Sequence, residues 1–134
     1  MKLIYEHISA YNSSVRRKPG NLLPLEVAIC VSGEDLLRDG VLEFHGYQIA
    51  KHLKDIADHR LLTAYGTLYR ALGRLEVMGF LTSRWEDPAI PAQENRPGRR
   101  LYTLTALGER VVADVRATKS SDARVRRRRR LARA

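Results

Sequence analysis

Residues 63–85 read TAYGTLYRALGRLEVMGFLTSRW. Leu68, Leu72 and Leu75 recur at helical spacing, Thr63 is suited to cap the run, and Gly79 closes it. At 100° per residue with Leu68 at zero, Leu72 and Leu75 lie within roughly 40° of it. Gly66, Thr67, Arg70, Gly73, Arg74 and Val77 fall between about 140° and 260°. One side of this helix therefore holds a fold, and the other offers two arginines, a hydroxyl and two glycines. Arginine bonds guanine O6 and N7 or a phosphate, and glycine lets a helix come close to a groove wall. Two arginines on a helix are commonly no more than solvated surface; their place in the chain decides between the two readings.

That place follows from the flanks. From Phe80 the period becomes two: Leu81, Ser83 and Trp85 alternate with Thr82, Arg84 and Glu86, and Tyr102 and Leu104 alternate with Leu101 and Thr103. Between these strands DPAIPAQENRPGR is too irregular for a two-residue turn, so a hairpin with a long tip carrying Arg96, Arg99 and Arg100 is expected. Upstream, His45-Gly46 opens a run in which Ile49, Leu53 and Ile56, with Ala50 and Ala57, share a helical face. Before that, Leu22, Leu25 and Ile29 share another, with Pro24 in its opening turn. This first helix is expected to end near Ser32-Gly33, leaving GEDLLRDG as a loop or short turn. Downstream, Thr105 is an N-cap candidate for a helix with Leu107, Val111, Val112 and Val115 on its stripe. Ser120-Ser121-Asp122 is expected to interrupt that helix or to cap another.

The predicted fold is mainly α with a small β-hairpin. Its order of helix, helix, helix, hairpin, helix is that of a winged helix-turn-helix with N-terminal and C-terminal helical extensions, in which the third helix enters a DNA major groove. The expected organisation is a basic arm over residues 1–21, the winged domain over 22–105, and a C-terminal dimerisation helix with an arginine-rich tail over 106–134. The wing arginines are placed to reach phosphates or the minor groove.

Charge agrees with that reading. The chain of 134 residues carries 24 basic and 15 acidic groups, a net +9. Residues 1–21 hold four basic groups and one acid, residues 119–134 hold eight and one, and the middle holds 12 against 13. The excess sits on two flanks of a nearly neutral body, which suits a polyanionic partner. A nonspecific nucleic-acid-binding or architectural protein driven by these arms, with Arg126 to Arg130 as anchor, is the alternative to a sequence-specific regulator.

Other classes fare worse. No stretch approaches the roughly 18 apolar residues of a membrane span, and MKLIYEHISAYN lacks the apolar run of a secretory signal, so a cytoplasmic, nucleoid-associated protein without membrane contact is expected. Cys30 is the one cysteine; it is read as a small core residue and cannot make a disulfide or a zinc site alone. His45, His52 and His59 recur every seven residues, a helical rise of about 10.5 Å that no single metal ion spans. They are read as surface or capping histidines, with His45 lending a modest pH dependence to binding if it meets DNA. No H-E-x-x-H or carboxylate pair accompanies them, so neither an enzyme nor a cofactor is expected.

The segments FHGYQIAKHL, GTLYRALGRLEVMGFLTSRWED and RPGRRLYTLT together resemble the PadR family of bacterial transcriptional regulators, over about residues 22–115. Gly66-Thr67-Leu68-Tyr69 with Leu72, Leu75, Glu76 and Gly79 is similar to the family's G-T-x-Y-x-x-L-x-x-L-E-x-x-G pattern, and His45-Gly46-Tyr47 to its H-G-Y. Two departures stand out: Ala64-Tyr65 replaces a short turn with proline, and the acidic GEDLLRDGVLEF lengthens the link between the first two helices. The resemblance implies a dimeric repressor on a palindromic operator, and release by a small-molecule effector entering between the first and last helices. It places His45, Gly46, Tyr47, Thr63, Gly66, Thr67 and Tyr69 toward double-stranded DNA beside Arg70, Arg74 and the wing, with Tyr69 bordering the apolar face; Tyr65, at the departure, is a further DNA-facing candidate. The homodimer seam is expected to use Leu22, Leu25, Ile29, Leu107, Val111 and Val115.

Overall fold

Val27, Ala28, Ile29, Cys30 and Val31 are consecutive and each is at most 1% exposed, so the helix that carries them is enclosed on every side. In the computed structural model, which describes residues 21–56 and 65–133, this is α1 (Pro24–Arg38). It is followed by α2 (Gly46–Ile56), α3 (Tyr65–Val77), β1 (Leu81–Trp85), α4 (Ala89–Gln93), β2 (Arg100–Leu104) and α5 (Ala106–Ala132). Helix α1 packs against α5, α2, α3 and β2. The expected N-terminal arm, Thr63, Ala57 and His59 lie outside the described residues.

Helix α1 begins as expected, with Pro24 where no amide hydrogen is needed. Glu26 turns back to accept the Leu23 amide at 2.6 Å. Its end is not where the sequence placed it. The helix passes through Ser32-Gly33 and runs to Arg38, so the acidic stretch forms its last turns, tied by an Arg38–Glu34 ion pair at 2.7 Å. Gly33 is a packing glycine: a Cβ there would lie 2.8 Å from the Phe44 ring. The stop is Gly40, at φ +91°, beside Val41 N–H donating to the Leu36 carbonyl at 2.9 Å. The link to α2 is correspondingly short.

Ile49, Leu53 and Ala50 of α2 and Leu68, Leu72 and Leu75 of α3 are buried, as their spacing required. Gly79 at φ +86° ends the α3 segment and turns the chain into β1. The two strands pair antiparallel from Leu81↔Leu104 to Trp85↔Arg100. Phe44 adds an isolated bridge to Tyr102 on the other edge of β2, with N–O distances of 2.7 and 3.0 Å.

The hairpin tip contains α4, which the sequence reading left as irregular. Pro88 and Pro91 fall at its start, where proline is compatible with a helix, and Asp87 Oδ1 accepts the Ala89 amide at 3.0 Å. Thr105 caps α5 as expected, accepting the Gly108 amide at 3.2 Å and donating to the Gly79 carbonyl at 2.6 Å. Gly108 is required because a Cβ would strike the Phe80 carbonyl oxygen. Helix α5 then continues without interruption through Ser120-Ser121-Asp122, since no glycine or proline follows Gly108.

Ile29 and Val115, expected between two copies, are both 0% exposed within a single chain. The valine stripe of α5 is spent on α1. Leu22, Leu25, Leu107 and Val111 keep exposed surface.

Candidate nucleic-acid interface

Three parts of the chain meet at one edge: the start of α2, Tyr69 of α3 and the wing. The first two touch at Gly46. A Cβ on Gly46 would lie 2.8 Å from Cε1, Cζ and Oη of Tyr69, so this glycine exists to let the tyrosine ring lie over the α2 N-terminus. His45-Gly46-Tyr47 and Gly66-Thr67-Leu68-Tyr69 are therefore two halves of one contact. His45 caps α2 reciprocally with Gln48: its amide donates to Gln48 Oε1 at 3.0 Å, and its Nδ1 accepts the Gln48 amide at 3.4 Å. Burial, then the charges of Arg99 and Arg96, push its imidazole below the ordinary histidine range, which favours the neutral ring.

Opposite Tyr69 stands the wing. A cavity of about 500 Å³ is lined by His45, Gly46, Tyr47, Tyr69 and Tyr102, by Trp85, and by the wing from Arg96 to Arg100. Its wall combines the capped start of α2, aromatic rings and guanidinium groups, and the arginines make it suited to an anion.

The three wing arginines do different jobs. Arg96 is 18% exposed and is clasped by Glu86, through Nη1 at 2.5 Å and Nη2 at 3.0 Å, and by Glu94. Glu86 also accepts the Arg99 amide at 2.8 Å. Arg96 holds the Glu86 carboxyl below the usual carboxylate range. This knot fixes the tip and leaves the Arg99 side chain exposed. Arg100 donates to Ser83 Oγ at 2.8 Å and lies 5.5 Å from the centre of the exposed Trp85 ring.

On α3, Tyr65, Gly66, Arg70, Gly73 and Val77 are exposed and Thr67 is partly so; Val77 is 89% exposed. A Cβ at Gly66 or Gly73 would meet nothing within 4 Å, so bare backbone faces outward there. Arg70 leans on the Gly66 carbonyl at 3.3 Å and stays exposed. Arg74 behaves otherwise. It is 49% exposed, yet its Nη2 lies 3.2 Å from Oε2 of Glu26, whose side chain is 0% exposed. That contact lacks hydrogen-bond geometry, so the oxygen is balanced by charge alone.

Sequence reasoning missed Glu26, Glu86 and Trp85. Glu26 had a signal, its place three residues after the cap position Leu23 of a proline-opened helix; Glu86 had none. Tyr47, Lys51, Lys54, Tyr65 and Leu68 line a second cavity, of about 440 Å³, between α2 and α3.

The remaining candidates for chemistry are placed in the fold. Burial pushes the Cys30 thiol up to about 12, which leaves it unreactive. His52, expected at the surface or in a cap, turns inward to Asp35 at 3.3 Å. Among the described residues no group of three or more His, Cys, Asp or Glu side chains is arranged to hold a metal ion. None of their helices is long and apolar enough to cross a membrane.

A two-helix turn followed by a third helix with a bare outer face, a β-hairpin and a capped C-terminal helix defines a winged helix-turn-helix protein. The family model for the transcriptional regulator PadR-like family matches residues 36–114, and the chain belongs to that family. No curated protein matches the chain. Its fold is similar to that of a PadR family transcription regulator from Clostridium difficile, at 20% identity and TM-score 0.53, over 77% of this chain and 91% of that one. A PadR-like transcription factor from Bacteroides fragilis is similar at 28% identity and TM-score 0.53, over 77% and 87%. Bacillus subtilis PadR, solved in complex with operator DNA, is similar at 29% identity and TM-score 0.50, over 67% of this chain and 45% of that one.

Proposed function

We propose that this regulator is a sequence-specific DNA-binding protein, a repressor that binds a palindromic operator as a homodimer. One observation carries the reading: the outer face of α3 presents bare backbone at Gly66 and Gly73 and an exposed Arg70, on the same helix whose Tyr69 lines the cavity beside the wing. In this reading Thr63, Tyr65, Gly66, Thr67 and Arg70 enter the major groove. His45, Tyr47 and Tyr69 meet the flanking phosphates, and Arg99 and Arg100 reach the backbone or minor groove from the wing. Arg74 and Arg96 face the duplex as charges while Glu26 and Glu86 hold their guanidinium groups. The operator complex of the similar Bacillus subtilis protein supports the DNA assignment.

Two copies join through Leu22, Leu25, Leu107 and Val111, with residues 106–134 supplying the dimerisation helix and, beyond the seam, its arginine-rich tail. A two-fold dimer sets its recognition helices about 34 Å apart, one turn of duplex. A small-molecule effector releases the operator, and the protein acts on the nucleoid in the cytoplasm without a cofactor or an enzymatic reaction.

The test is selection of bound sequences from random duplex, followed by binding against excess unrelated DNA. Enrichment of a palindrome retained against competitor is expected, with a dimer at micromolar concentration in equilibrium sedimentation. Equal binding to every duplex would instead make the basic arms the whole of the interaction.

A further inference from the structure

Helix α5 keeps contact with α1 through Arg116, whose guanidinium lies 3.4 Å from Asp35. Every residue from Ser120 to Arg133 is exposed, yet the helix continues to Ala132. Seven of the ten residues from Arg124 to Arg133 are arginine. Arg124 and Arg128, Arg126 and Arg130, and Arg129 and Arg133 stand one turn apart, where like charges oppose helix formation. The C-terminal end of the helix dipole relieves part of that repulsion. A projecting helix of this length has little stability of its own in water, and Asp122 is the one acidic residue from 120 to 133, so its charge suits a polyanionic partner.

The form of that countercharge can be read from the helix. Ten helical residues span about 15 Å, a length over which a duplex carries roughly nine phosphates. The two linear charge densities match. Arginine, with its planar fork, is the side chain that grips phosphate oxygens in pairs. Val125 and Leu131 are the large apolar side chains of this stretch, both exposed. At helical spacing they point about 120° apart, so they make no seam for a partner helix and no face for a lipid surface.

We propose that residues 120–133 of α5 are a helical arm that binds the phosphate backbone of duplex DNA without reading bases. The proposal rests on the DNA-binding reading above and adds a second contact to it, independent of the groove-facing side of α3.

The experiment combines Arg126→Gln, Arg127→Gln, Arg128→Gln, Arg129→Gln and Arg130→Gln in the full-length chain. Glutamine keeps helix propensity, and circular dichroism checks that the fold is retained. Binding to an unrelated duplex is measured from 50 to 300 mM salt. Losing five phosphate contacts reduces the magnitude of the slope of log K against log salt by about 4.5, and the preference for a selected operator over unrelated duplex stays within about twofold. An unchanged slope with operator preference intact overturns the arm and leaves the repressor reading standing. A reduced slope in a protein that never preferred an operator supports the arm and removes the repressor. Tighter arm-dependent binding to single-stranded RNA or to phosphatidylglycerol vesicles than to duplex overturns the choice of partner.

Discussion

Replacing Arg74 by alanine leaves the Glu26 carboxylate inside the protein without its countercharge. Glu26 is 0% exposed; Oε1 keeps the Leu23 amide at 2.6 Å, while Oε2 faces the Arg74 guanidinium at 3.2 Å. Deleting one member of a buried ion pair costs about 3–5 kcal/mol. Arg74 is 49% exposed, so water enters where it stood, and the lower end, about 3 kcal/mol, applies. Glu26→Gln keeps the cap acceptor and removes the charge that needs balancing, so it costs within about 1 kcal/mol. In the Glu26→Gln background Arg74→Ala removes only packing of the stem, about 1 kcal/mol. The coupling between the two positions is therefore about 2 kcal/mol. Urea unfolding of the four proteins at pH 7, compared at equal m-value, measures it. A coupling below about 0.5 kcal/mol would refute the assignment of Arg74 as the clamp between α3 and α1.

Three further outcomes follow from other contacts. Gly108→Ala forces a methyl against the Phe80 carbonyl and Leu104, and thermal unfolding should register a loss of about 2–3 kcal/mol. His45 is held below its ordinary range by burial and by Arg99 and Arg96, so the unfolded chain binds its proton first as pH falls. Stability contributed at this site is therefore intact above the ordinary imidazole range and declines as pH drops through it. His45→Asn retains a capping side chain without titrating, and its unfolding midpoint should fall less between pH 7.5 and 5.5 than that of the unmodified protein. Glu86→Gln loosens the clasp on Arg96 and on the Arg99 amide; limited proteolysis should then cut the wing tip near Pro97-Gly98 faster, while the helices are cut at the original rate.

What the sequence disclosed was whatever depends on periodicity or on a local cap. The leucines of α3, the Thr105 cap, the turn at Gly79 and the alternation of the two strands all appear where the spacing placed them. Local signals misled where two glycines compete for one role. Gly33 looked like a helix stop but makes room for Phe44, whereas Gly40, with positive φ, does the stopping. Short α4 escaped because its prolines resemble those of an irregular loop.

The interface was harder to read than the fold. Helical angle put Arg70 and Arg74 on one face, and both are exposed there. Which of them is engaged by a carboxylate depends on Glu26, far off in sequence, and no spacing rule reports it. The same holds for Arg96 and Glu86. For Ile29 and Val115, a stripe shows that a face is apolar without showing whether the same chain or another copy covers it.

The most direct measurement is the operator preference of Arg70→Ala, titrated by fluorescence anisotropy on the selected operator and on an unrelated duplex at one salt concentration. A base contact in the major groove contributes about 1–3 kcal/mol of discrimination. The account predicts that operator affinity falls about tenfold or more, while affinity for the unrelated duplex falls much less. Equal loss on both duplexes, or none on either, would contradict the placement of the outer face of α3 against the bases.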